Sequence, residues 1–315
     1  MQSRSELGMR RKIFGWLLCG ALSVSNIAPS LACAFHGYTP NPTLVDLLMM
    51  TEQVVIADID PSQPNRYRLL EVLMGPHVSD IPITVSASVT KTISQNPSAR
   101  VLLARDGPYG PWQMLKVLDN RLHHVLSYVI ERQSALINGG DEERLTLFVS
   151  LLNDPSPDVH QLALQELDRA PYSALQKLVI PNIAGLKQEI ETGDEGLMPI
   201  RVLLAGLTKD QSYKPFMMEE LAMAVEGNVS YMGAYATALI ELGGTDAVQY
   251  LIDEYLTDKA QPLDSRIKIL EALSLQHKNA ERKTRRAIAR GVAHELHQSP
   301  ELKEPATRFF GFRIR

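Results

Sequence analysis

A cysteine and a histidine stand three residues apart in Cys33-Ala34-Phe35-His36. Thiolate and imidazole both bind copper or zinc, and this spacing lets both reach one ion. A free amine at Cys33 would add a third donor. The same residues also form the edge of a cleavage site, where processing modifies or removes the thiol. Cys33 and His36 are therefore the candidate metal ligands, with a processing signal as the competing account. Asp58 and Asp60 flank Ile59. Paired carboxylates suit a hard cation or divided acid and base roles, and they equally suit a strand entering a proline turn. His294 and His297 share a helix face, but zinc needs a third ligand and none follows nearby. His123 and His124 are adjacent, so on a helix they point apart.

The familiar catalytic patterns are missing. Neither G-x-G-x-x-G nor a Walker A sequence occurs, so no glycine-rich phosphate cradle is encoded. There is no G-x-S-x-G elbow and no H-E-x-x-H. No catalytic residue and no cofactor is assigned from the sequence, and a binding role is favoured over an enzymatic one.

The first residues read as an export signal. Arg10, Arg11 and Lys12 precede an apolar run from Ile13 to Val24, and Ser25 to Ala34 is more polar. That run is shorter than the ~20 residues of a spanning helix. Cleavage after Ala34 would leave Phe35 first, and cleavage after Ala32 would leave Cys33 first. Lipid attachment at Cys33 is the third route, since Leu31-Ala32-Cys33 partly matches a bacterial lipobox. Arg10-Arg11 also admits the twin-arginine route. Residues 1–34 hold four of the 32 basic and one of the 36 acidic residues, which leaves 28 and 35 in the mature chain. Such an acidic chain is a poor ligand for nucleic acid, and membrane attachment is expected only through a lipid on Cys33. Cys19 leaves with the signal, so the mature chain forms no internal disulfide.

The body of the chain divides by pattern. Thr43 to Met50 reads as a short helix with Pro42 at its first turn and Leu44, Leu47 and Leu48 on one side. Five strand-like runs follow: Val54–Ile59, Tyr67–Leu73, Ile81–Val85, Arg100–Arg105 and Gln113–Leu118. A helix over Ser86–Gln95 fits between the third and fourth. From Asn120 onward the apolar spacing is helical. Leu145, Phe148, Leu151 and Leu152 form one stripe, and Val159, Leu162, Ala163 and Leu167 form the next. Pro155 separates the two, and Asp158 suits the second helix start. Met198–Leu207, Phe216–Val225, Leu263–Leu275 and Glu281–His297 continue the series. The last helix sets Arg282, Lys283, Arg285, Arg286 and Arg290 against Ile288, Val292 and Leu296; this basic face suits an acidic partner, a membrane surface or a solvated end. Phe309, Phe310 and Phe312 are expected to pin the tail.

The stretch LLNDPSPDVHQLALQEL, residues 151–167, resembles the inner turn and second helix of a HEAT repeat, with His160 where such repeats often carry Arg. YATALIELGGTDAVQYLIDEYL, residues 235–256, is a second echo, in which Gly243-Gly244 closes one helix and Asp246 lies at the start of the next. VVIADI followed by YRLLEVLMGP resembles the opening strands of netrin-like and tissue-inhibitor-like barrels. The expected fold class is α+β: a signal over 1–34, a small β-barrel-like domain over 35–118, and a HEAT-like α-solenoid over 119–315. Solenoids bind other chains on their concave face. The resemblance thus implies a module that binds a protein partner, and the signal pattern places it in the bacterial periplasm or envelope; copper or zinc handling at Cys33 and His36 is the alternative, and an enzyme without a recognisable motif is the second.

Overall fold

The computed structural model describes residues 41–138 and 141–311. Thr43 starts α1 (Leu44–Met49) with a reciprocal cap: its hydroxyl accepts from Asp46 N–H and Asp46 accepts from Thr43 N–H, both at 3.0 Å. Leu48 is buried and Leu44 packs on the core as the spacing predicts, but Val45 takes the third inward position and Leu47 is exposed.

Strands β1 (Gln53–Asp60), β2 (Gln63–Met74), β3 (Arg100–Arg105) and β4 (Gln113–Leu118) make one antiparallel sheet in the order β2-β1-β3-β4. The sheet is open, which corrects the expected barrel. The run Ile81–Val85 supplies only an isolated bridge, Thr84 to Arg66, in place of a fifth strand. Pro82 carries no N–H for a ladder, and four strands leave two edges unjoined. Central strands β1 and β3 are covered on both faces, which explains their continuous apolar runs. Val55, Ala57, Val101 and Leu103 meet Val89 of α2 (Ala87–Gln95) together with Ile81 and Val85. Val54, Ile56, Leu102 and Ala104 face the other way, into a core that runs without a break through the helices to Phe310.

β4 ends at Leu118, and Asp119 caps α3 (Asn120–Glu131) by accepting from Leu122 N–H at 2.6 Å. Then come α4 (Gln133–Asn138), α5 (Asp141–Ser150) and α6 (Pro157–Asp168). As the stripes require, α5 and α6 pack on each other across the Pro155 turn, and Leu151, Leu152, Leu162 and Leu167 are buried. Ser156, not Asp158, caps α6; its hydroxyl accepts from Val159 N–H and donates to Asp119 at 2.7 Å. Asp154 pairs with Arg121 at 2.7 Å and Lys116 with Asp158 at 2.7 Å, so the sheet-to-helix junction is tied to the start of α6. Arg144 of α5 bridges Asp46 of α1 at 2.8 Å and Glu166 of α6 at 2.6 Å. His160 turns Nδ1 to the Leu152 carbonyl at 2.7 Å and Nε2 to Glu189 at 3.0 Å.

The remaining helices are α7 (Tyr172–Leu175), α8 (Leu186–Thr192), α9 (Met198–Leu207), α10 (Tyr213–Glu226), α11 (Met232–Leu251), α12 (Leu263–Asn279), α13 (Arg282–Gln298) and α14 (Lys303–Phe310). The molecule is thus α+β and mostly helical. Non-sequential helices touch as well as sequential ones: α6 meets α9, α9 meets α11, and α11 meets both α12 and α13. The α13 face is as patterned, with Ile288, Val292 and Leu296 buried. Phe310 is buried and stacks near His277, Phe309 is partly buried, and Phe312 lies outside the described residues.

The approach of α9 to α11 depends on Gly206, where a Cβ would stand 2.6 Å from Ala238 Cα. Backbone cannot yield as a side-chain tip can. Gly206→Ala should therefore lose at least about 1 kcal/mol of stability in urea unfolding, despite the ~1 kcal/mol helix-propensity gain. A net gain would show that the helices move apart freely.

Candidate functional site

The helix turns meet in a cleft of about 550 Å³. Its walls come from five places: Ser173, Gln176 and Lys177 at α7, Lys209 in the α9–α10 turn, Glu241 and Gly244 of α11, Gln276, Lys278 and Asn279 at the end of α12, and Glu281 and Thr284 at the start of α13.

Gly244 breaks α11 at φ 55° and ψ −129°, a region open to glycine. The carbonyls freed there are met by the α9–α10 turn: Gln211 donates to the Leu242 carbonyl at 2.9 Å and Lys209 to the Glu241 carbonyl at 3.3 Å. Lys209 holds φ 62°, unusual for a residue with a Cβ, and this backbone brings its ammonium onto the Glu241 carboxylate. The same carboxylate accepts from the Tyr172 hydroxyl, the Gln176 amide and the Gln276 amide, the last at 2.8 Å. Gln276 also reaches the Tyr172 hydroxyl at 2.6 Å.

Charge follows from this wiring. Burial would push the Glu241 carboxyl upward, but the donors Gln276, Lys209 and Tyr172 outweigh it and hold it below the ordinary glutamate value. Burial first, and then the Glu241 charge, pushes the Tyr172 phenol well above its usual value, so it stays protonated and donates. A carboxylate met by four donors has little capacity left as a general base, and the phenol proton is committed to it. This arrangement fixes the shape and the charge of the cleft wall at Glu241.

A lowered carboxyl stabilises the fold fully above its unfolded value and loses that contribution as pH falls through the lower folded value. Glu241→Gln should therefore weaken the protein most at neutral pH. Its deficit against wild type should shrink as pH drops below about 4.5, the ordinary glutamate value. Urea midpoints measured from pH 7 to pH 3 check this; a deficit constant across that range would remove the charge from the account.

The residues singled out by sequence lie elsewhere. Cys33 and His36 fall outside the described residues. Asp60 accepts from the Ser62 N–H and hydroxyl at 2.8 and 2.7 Å, closing the β1–β2 turn, and Asp58 faces Arg68. His123 meets Glu71 at 3.1 Å, while His124 turns to the Asn120 carbonyl. His294 bonds Gln298. Among the described residues no group of three or more His, Cys, Asp or Glu could hold a metal ion, and no helix is long and apolar enough to cross a membrane. Sequence reasoning missed Tyr172, Gln176, Lys209, Glu241 and Gln276. Tyr172 and Glu241 are 69 residues apart, and Tyr172 and Gln276 are 104 apart, too far for any local pattern. The one local signal was Gly243-Gly244, which marks the break beside Glu241.

No family model matches this chain. No curated protein and no solved structure matches it either.

Proposed function

We propose that this chain is a non-catalytic binding protein of the bacterial periplasm or envelope, and that its helical part is a HEAT-like stack that captures a protein partner at the cleft between its turns. The observation that carries this reading is the state of Glu241 and Tyr172. Glu241 in the cleft wall is saturated by the buried Tyr172 phenol behind it and by Gln176, Gln276 and Lys209, so the cleft presents a preorganised polar surface. The packing of non-sequential helices supports the stacked reading, because repeat units bury their faces on their neighbours. The export signal over residues 1–34 supports the compartment.

The test is capture from envelope extract by the whole mature chain, compared with a Lys177→Glu/Lys278→Glu variant of equal thermal stability. A partner enriched by wild type and lost with the charge reversal is the expected result. Equal recovery by both would place binding away from this cleft.

A further inference from the structure

At one end of the cleft, α13 begins without a side-chain cap. Its N-cap residue is Glu281, whose carboxylate makes no capping bond, so the N–H groups of the first turn are left for an outside acceptor. A helix start alone is weak ground, but a second feature points the same way. Thr284, in that first turn, is only 4% exposed and lines the cleft. Its hydroxyl has no hydrogen-bond partner among the described residues, and it is not among the fully sealed polar atoms, so it opens onto the cleft. Open to the cleft and without an internal partner, this hydroxyl is free to bond a water molecule or a ligand oxygen.

Two cations complete the setting. Lys177 and Lys278 line the same cleft, and neither has a carboxylate within ion-pair distance among the described residues. Lys209 is neutralised by Glu241. Glu281 is the opposing charge, exposed on the rim.

We propose that this end of the cleft is an oxyanion site that takes a phosphate group, free or as a monoester on a larger ligand. The assignment rests on the reading of the cleft as the binding surface, and it names what binds. Phosphate offers at least three strong acceptor oxygens, where a carboxylate offers two. The donors here are of the kinds that phosphate collects: helix N-terminal N–H groups, a hydroxyl, and lysines acting as point charges. Roughly 30 Å³ suffices for a water molecule, so a cleft of about 550 Å³ leaves space for the body of an ester beyond the phosphate.

The experiment titrates the whole mature chain with inorganic phosphate and, separately, with glycerol 3-phosphate, at constant ionic strength maintained with chloride. Binding is followed by calorimetry and by the rise in melting temperature. Saturable binding is expected, and Thr284→Val and Lys278→Gln should each weaken it about tenfold. Glu281→Gln should tighten it, because the repelling carboxylate is gone. Lys278 is exposed, so its variant tests the site even if Thr284→Val fails to fold. Tighter binding of the ester than of inorganic phosphate would assign the site to a larger phosphorylated ligand; the reverse order would assign it to free phosphate. Absence of saturable binding by both probes, or affinity unchanged in Lys278→Gln, overturns the proposal. If partner capture still depends on Lys177 and Lys278 in that event, the binding role stands and only the oxyanion assignment falls.

Discussion

Arg266→Ala should cost about 3–5 kcal/mol, a large part of the stability of an ordinary domain. Arg266 is 4% exposed and belongs to a closed network. Its Nε donates to the Leu256 carbonyl at 2.9 Å, and its two terminal nitrogens donate to Glu301 at 2.7 Å, Glu295 at 3.3 Å and the Ser299 hydroxyl at 2.6 Å. The side chain therefore joins α12 to the end of α13 and to the turn before α14. Removing it leaves the Glu295 carboxylate, 1% exposed, without its cation. One oxygen of Glu295 already has no hydrogen-bond partner, so that group has no reserve. The urea midpoint should fall with little change in slope. Adding Glu295→Leu to Arg266→Met should recover part of the loss, because the uncompensated charge goes with it. A single Arg266→Ala variant within about 1 kcal/mol of wild type would show that water reaches Glu295 and that the network is not closed.

Leu162→Ala should cost about 2–5 kcal/mol. Leu162 is 3% exposed and shares a core with Leu151, Leu152 and Leu167 around the Pro155 turn. Truncation there loses apolar contact and leaves a cavity that α5 and α6, tied together by Arg144 and Glu166, cannot easily collapse. The matched control is Val179→Ala, since Val179 is 90% exposed and its truncation should stay within about 0.5 kcal/mol. Chemical unfolding of both variants under one condition gives the comparison. Equal effects would mean that the α5–α6 pair contributes nothing particular to the fold.

Both outcomes bear on how much of this molecule was legible beforehand. Leu162 was legible: four apolar positions at helical spacing on either side of a proline specify two helices and the face that each buries. The same holds for Ile288, Val292 and Leu296 on α13, and for the continuous apolar run Val54–Ala57, buried on both faces of the sheet. Arg266 was not legible. It lies 29 residues from Glu295 and 33 from Ser299, and a basic residue within a helix reads as solvent-exposed until its neighbours are known.

By itself, the sequence determined four of the strands, the longer helices and their order, the breaks at Pro155 and Gly244, and the absence of the common catalytic motifs. These depend on side-chain periodicity and on backbone freedom over a few residues, which are local quantities. Only the tertiary structure decided that Ile81–Val85 stays out of the sheet, so that the sheet is open and not a barrel. It also decided that Val45 and not Leu47 turns inward on α1, because burial there is set by packing against the core. It decided that Glu241 is saturated by Tyr172, Gln176, Lys209 and Gln276, and that Thr284 opens onto a cleft with two unpaired lysines. A charge or hydroxyl takes its state from what surrounds it in space, and here those surroundings are assembled from turns far apart along the chain.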